Sequence, residues 1–210
     1  MTVQYVIARY NENIDWLKDD DKDILIYNKG KSLNLKNEIM LDNVGREAHT
    51  YLYHIINNYD NLKNIIVFSQ ANISDHTGLN DLHFFDKYII DKLDFKFSSN
   101  YVHSNNEFCA PDFNIQIKNI LVNNYNILEN DVNKIIFKDW FIKNIQDDFP
   151  KNGLYIYWNA LFCVSKNLIL TRPKEFYINL YNQLVKLNAP IEGHFLERSW
   201  FYIFNCHKYI

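Results

Sequence analysis

Glycine is rare in this chain, five residues in 210, and none of the five falls in a G-x-G-x-x-G or G-x-x-x-x-G-K-[ST] pattern. Both patterns gather backbone N–H groups around phosphates at a helix start, so a dinucleotide fingerprint and a phosphate loop are excluded. The three cysteines, Cys109, Cys163 and Cys206, form neither a C-x-x-C pair nor a zinc spacing. That excludes a cysteine-built metal site and points to a reducing, cytoplasm-like compartment. No apolar run approaches 18 residues, and Gln4, Arg9 and Asn11 interrupt or border the first one, so neither a signal peptide nor a membrane span is expected. Positive charge is not in excess: 22 Lys and Arg face 25 Asp and Glu, for a net charge of -3. With no dense basic stripe, nucleic acid is not an expected partner.

Aromatic residues are plentiful, at 16% of the chain. A chain of this length buries roughly 70% of its unfolded surface, enough for one core without disulfides, and residues 1–210 are expected to form a single domain. Residues 3–8 read as a buried strand, and residues 24–27 as a second, closed by the turn signal Asn28-Lys29-Gly30. The acidic run Asp19, Asp20, Asp21 and Asp23 between them reads as a solvated turn. Tyr51, Leu52, Ile55, Ile56, Tyr59 and Leu62 fall at helical spacing, which predicts an amphipathic helix from Arg46 to about Tyr59. Ile65-Ile66-Val67-Phe68 is a third strand. Helices are predicted over 79–93, 111–124, 173–187 and 192–204, a strand-pair element over 155–164, and loops with short strands over 94–109 and 126–153. Strands alternating with helices predict an α/β fold.

Four polar clusters are candidate sites. Arg9, Tyr10, Asn11 and Glu12 follow the first strand, where α/β proteins bind nucleotides; the same residues also suit an ordinary strand-to-helix loop capped by Asn11 or Asn13. Gly45-Arg46-Glu47 opens the long helix, as an anion site or as a turn with surface ion pairs. Gln70 to His76, with Asn72, Asp75 and nearby Asp81, follows the third strand and offers oxygen and imidazole ligands for Mg²⁺ or Mn²⁺, or a polar turn capping the next helix. Near the end, His194, Glu197 and Arg198 share one helical turn, with His207 beyond it. Glu197 is a candidate base, and His194 or His207 a contact for phosphate or metal; the alternative is an amphipathic closing helix. His49, His54, His83 and His103 read as structural or surface residues.

Taken in order, Val6-Ile7-Ala8-Arg9-Tyr10-Asn11-Glu12 with Trp16, Ile26-Tyr27-Asn28-Lys29-Gly30, Asn43-Val44-Gly45-Arg46-Glu47, Phe68-Ser69-Gln70, Phe162-Cys163-Val164-Ser165 and Glu197-Arg198-Ser199-Trp200 resemble the small GT-A-type nucleotide-sugar glycosyltransferases. Within that group the likeness is to the first glycosyltransferase domain of the multidomain enzyme that glycosylates the capsid protein of large chlorella viruses. The resemblance implies a GT-A-like, Rossmann-like central mixed sheet flanked by helices. It implies a UDP-sugar donor, with a deoxyhexose such as L-rhamnose as a candidate sugar, a glycan or glycoprotein acceptor, and Mn²⁺ or Mg²⁺ on the diphosphate. On this mapping Ala8, Arg9, Tyr10 and Asn11 lie along the uridine, and Arg46, Gln70, Asn72 and His194 also face the donor. Asp75 and His207 are the metal ligands, because Gln70-Ala71-Asn72 stands where an Asp-x-Asp is expected. For an inverting enzyme, Glu197, or else Asp112, is the acceptor-side base; a retaining enzyme needs none. The reaction is expected in the cytoplasm, the host's if the chain is viral. A nucleotide-sugar hydrolase and a non-catalytic nucleotide- or glycan-binding module are the alternatives.

Overall fold

A computed structural model describes residues 1–17, 22–78, 81–86, 89, 95–97, 101–104, 137–151, 153–157 and 160–209. The acidic run at 19–21, the helix predicted over 111–124 and the candidate base Asp112 lie outside the described residues. The strands are β1 (Val3–Arg9), β2 (Ile24–Asn28), β3 (Glu38–Met40), β4 (Ile65–Gln70), β5 (Phe95–Phe97), β6 (Tyr101–Ser104), β7 (Leu154–Tyr157) and β8 (Phe162–Ser165). The helices are α1 (Arg46–Asn58), α2 (Ser74–Thr77), α3 (Phe137–Asn144), α4 (Lys166–Ile169), α5 (Lys174–Tyr181) and α6 (Ile191–Ile203).

Six strands form one mixed sheet in the order β3-β2-β1-β4-β8-β5. β3, β2, β1 and β4 are parallel, whereas β8 runs antiparallel to both β4 and β5. β1 and β4 are apolar along almost their whole length because helices and turns cover both faces of the sheet. Their alternating side chains feed two cores. Val6 and Phe68 point to the face covered by α1 and α6, where Tyr51, Leu52, Phe162 and Trp200 are buried. Tyr5, Ile7 and Val67 point to the other face, closed by Ile14, Leu17, Ile73 and Phe85 from short turns. α6 is buried along most of its length; its rings Trp200 and Phe204 lie parallel at 5.7 Å, against Phe162. Each such ring or aliphatic chain contributes about 1.5–3 kcal/mol of burial.

Several expectations need adjusting. Within the helix predicted over 79–93, the described Leu82–Phe85 form a 3-10 turn started by Asp81, whose carboxylate accepts from His83 N at 2.8 Å, while Asp86 and Ile89 are α-helical as expected. The element expected at 155–164 splits into β7 and β8, which lie in different sheets, because Ala160 takes a left-handed φ of 45° and redirects the chain. β3 occupies a stretch where the sequence carries little periodic signal, whereas α3, with Phe137, Trp140 and Phe141 at helical spacing, replaces the loops and short strands expected over 126–153.

β1 is where the sheet reverses its direction of growth. The chain passes from β1 to β2 on one side, and then from β3 through α1 to β4 on the other. Above the carboxyl ends of β1 and β4 the two connections diverge, which leaves a crevice at this point in an α/β sheet.

Candidate functional site

The crevice has a volume of about 370 Å³. Ala8, Arg9, Tyr10 and Glu12 come from the end of β1, and Gln70 from the end of β4, one strand over from its register partner Ala8. α1 supplies Arg46, Glu47 and Thr50; Lys29, Asn43 and Asn188 complete the wall. Burial grades the site: Thr50 and Arg9 are buried, Ala8, Lys29, Glu47 and Gln70 are half-buried, and Tyr10, Asn43, Arg46 and Asn188 form an exposed rim.

Two close approaches set the mouth. Gly30, just after β2, lies so near the β1 loop that a Cβ there would stand 1.4 Å from the Tyr10 carbonyl oxygen. Trp16 donates from Nε1 to the Ala71 carbonyl at 3.1 Å and ties the loop after β1 to the loop after β4. Gly45 precedes α1 with φ 61°, and a Cβ there would meet His49 and Leu184 at 2.7 Å.

Arg9 lines the crevice while its Nε and Nη1 are held within the fold. Its Nε donates to Glu12 O at 2.9 Å, and its Nη1 donates to Asn28 Oδ1 at 2.9 Å and to Lys31 O at 3.1 Å. Asn28 is its register partner on β2 and is fully buried, so the guanidinium clamps the two loops together. Glu12 Oε2 accepts from Tyr10 N at 2.6 Å, which fixes the exposed Tyr10 at the rim. Asn11 Oδ1 accepts from Lys31 N at 3.0 Å, and Asn11 lines a neighbouring cavity rather than the crevice.

The cations of the site are Arg46 and Lys29. Arg46 is exposed, has φ 47°, and its guanidinium makes no hydrogen bond or ion pair among the described residues. A left-handed arginine beside a left-handed glycine is backbone strain of the kind that collects at binding sites. The amides of Gly45 and Arg46 are occupied by the carbonyls of Leu187 (2.8 Å) and Asn188 (3.2 Å). The anion-binding capacity expected of this helix start therefore rests on the Arg46 side chain, not on those two N–H groups. Lys29 Nζ donates to Val44 O at 2.5 Å and to Arg46 O, stitching the end of β2 to the start of α1. Burial pushes its ammonium down to about 8, with Glu47 pulling the other way.

Glu47 and Glu197 are the acids. Burial pushes the Glu47 carboxyl up, its own N–H draws it down, the Glu197 carboxylate raises it again, and Arg46 and Lys29 lower it. Glu197 lies half-buried on α6, near enough to Glu47 to raise its carboxyl, but it is not among the residues that line the crevice. His194, one turn earlier, is lowered to about 4 by burial and then by Arg46 and Arg198, and is neutral at physiological pH. Arg198 is buried and donates to the His194 carbonyl at 3.1 Å.

The remaining candidates scatter. Asn72 Oδ1 accepts from Ser74 Oγ at 2.8 Å and Ser74 N at 3.3 Å, the polar-turn alternative, and does not line the crevice. Asp75 lies on α2, with its side chain outside the described residues. His207 stacks on Tyr202 at 5.0 Å beyond the far end of α6, whose nine-residue rise from His194 to Ile203 is about 14 Å. Among the described residues no group of three or more His, Cys, Asp or Glu side chains is placed to hold a metal ion. His49 is buried between Tyr53 and Tyr181, His54 meets the Tyr27 hydroxyl at 3.0 Å, and His83 pairs with Asp86, all structural as expected; the His103 side chain is outside the described residues.

Sequence reasoning left out Lys29, Asn43, Thr50 and Asn188 as site residues. Lys29 follows β2 at the same sheet edge as Arg9, and Thr50 stands four residues after Arg46, so both had a positional signal. Asn188 arrives through the loop after α5 and had none. No helix among the described residues is long and apolar enough to cross a membrane. No curated protein and no solved structure matches the chain. Over residues 5–209 it matches the family described as Protein of unknown function (DUF3431), and the chain belongs to that family.

Proposed function

We propose that this protein is a GT-A-like glycosyltransferase that binds a UDP-sugar in the crevice over β1 and β4 and passes the sugar to a glycan or glycoprotein hydroxyl. One observation carries the reading: a strained Arg46 whose guanidinium makes no hydrogen bond or ion pair among the described residues, a half-buried Lys29 and an exposed aromatic, Tyr10, line one cavity at the switch point of the sheet. Two cations suit a diphosphate, and an aromatic rim suits a base. The volume lies in the range of small-molecule sites. The mixed sheet with helices on the crevice side supports the resemblance to GT-A enzymes drawn from the sequence.

In this reading the acceptor oxygen attacks the anomeric carbon, the bond from that carbon to the diphosphate breaks, and the electron pair leaves with UDP. Arg46 and Lys29 offset the growing negative charge. Glu197 is the group that takes the acceptor proton, as an inverting reaction requires. The resemblance also implies Mn²⁺ or Mg²⁺ on the diphosphate, and among the described residues no group of three or more His, Cys, Asp or Glu side chains gathers to hold it. The deoxyhexose donor, the capsid glycan and the cytoplasmic setting are parts of the same proposal.

The test is UDP release from a panel of UDP-sugars, with and without Mn²⁺ and with and without glycan acceptors. Acceptor-dependent release is expected. Equal release of free sugar without acceptor marks a hydrolase, and binding without release marks a non-catalytic module.

A further inference from the structure

At the inner end of the crevice, Thr50 is fully buried yet its hydroxyl has no hydrogen-bond partner among the described residues. A helical threonine ordinarily turns its hydroxyl back to the carbonyl four residues earlier. Here that carbonyl belongs to Arg46 and accepts from Lys29 Nζ instead. Buried hydroxyls without partners are uncommon because desolvation is then uncompensated, so such a group at the wall of a cavity is waiting for a partner from outside the chain. Gln70 and Glu47 line the same crevice, as do the cations Arg46 and Lys29. The crevice thus offers cations for phosphate together with a hydroxyl, a carboxamide and a carboxyl, the groups that hydrogen-bond a polyhydroxylated ring.

We infer that Thr50 is a direct contact of the transferred sugar and, with Gln70 and Glu47, sets which sugar the site accepts. This rests on the UDP-sugar reading above and deepens it. The sugar enters past the diphosphate toward β4, and the nucleoside stays at the Tyr10 rim.

Thr50→Val keeps the shape and removes the hydroxyl; Thr50→Ser keeps the hydroxyl. Calorimetric titration of wild type and both variants with UDP, UDP-glucose, UDP-N-acetylglucosamine and UDP-L-rhamnose separates the parts. Wild type is expected to bind at least one UDP-sugar more tightly than UDP. Thr50→Val should lose that sugar by about tenfold, bind UDP as wild type does, and melt no lower than wild type because an unsatisfied group has gone. Thr50→Ser should restore the sugar affinity. If Thr50→Val keeps full UDP-sugar affinity, or weakens UDP and UDP-sugar alike, this inference is wrong while the functional reading stands. If wild type binds none of the four, the functional reading falls and takes the inference with it.

Discussion

Replacing Gly30 with alanine probes the geometry of the site most sharply, because the clash is with backbone. The added Cβ would stand 1.4 Å from the Tyr10 carbonyl oxygen, 2.3 Å from Asn11 Oδ1 and 2.5 Å from the Tyr10 carbonyl carbon. Ordinary contact begins at 3.4 Å, so the Tyr10 peptide must retreat by 3.4 − 1.4 = 2.0 Å. Overpacking costs about 1–3 kcal/mol, and a rigid peptide held by Arg9 and Glu12 puts Gly30→Ala near the top, about 3 kcal/mol. For a chain of this size that lowers the melting temperature by roughly 6–12 °C. Gly193→Ala is the control: it lies in α6 with nothing within 4 Å of its Cβ, so the helix should gain about 0.5–1 kcal/mol. Scanning calorimetry of the two variants beside wild type reads both signs. An unchanged melting temperature for Gly30→Ala would refute the placement of the Tyr10 loop against Gly30, and with it the shape of the crevice mouth.

Other outcomes follow from the same geometry. Arg46→Ala and Arg46→Gly should each weaken UDP binding by about 2 kcal/mol, or roughly thirtyfold. The glycine variant should be the more stable by about 1 kcal/mol, since it relieves a left-handed arginine; urea titration checks the order. Lys29, held at about 8 in the fold against 10.5 unfolded, binds fewer protons folded than unfolded between those values, so its contribution makes stability rise with pH from about 8 to 10.5. Affinity for inorganic pyrophosphate should fall over the onset of the same window as the cation is lost, and Lys29→Met should flatten both profiles. Glu197→Gln should slow transfer by about 10²–10⁴-fold and leave UDP affinity intact; an unchanged transfer rate would point to a mechanism without an acceptor-side base.

Much of the frame was legible because its strands are runs of β-branched and aromatic residues and its main helices carry apolar side chains every three to four positions. β1, β2, β4, α1 and α6 all appear where that pattern puts them. β3 was not legible: it is three residues long, and Ile39 and Met40 are exposed, so no burial pattern marks it. α3 was missed although Phe137, Trp140 and Phe141 fall at helical spacing, because it is only eight residues long. At the site, Ala8, Tyr10, Arg46 and Gln70 meet as expected because strand ends and a helix start converge at the switch point. Arg9 proved to be a clamp, since the parallel register sets it beside the buried Asn28, a pairing no local pattern reveals. The joint placement of Lys29, Thr50 and Glu47 depends on how α1 docks over β1 and β2, which only the packed structure fixes.

The most direct test of the account is calorimetric titration of the wild-type protein and Arg46→Ala with UDP. The account predicts saturable binding at a single site by wild type and roughly thirtyfold weaker binding by Arg46→Ala. No binding by wild type, or equal affinity in the two proteins, would contradict it.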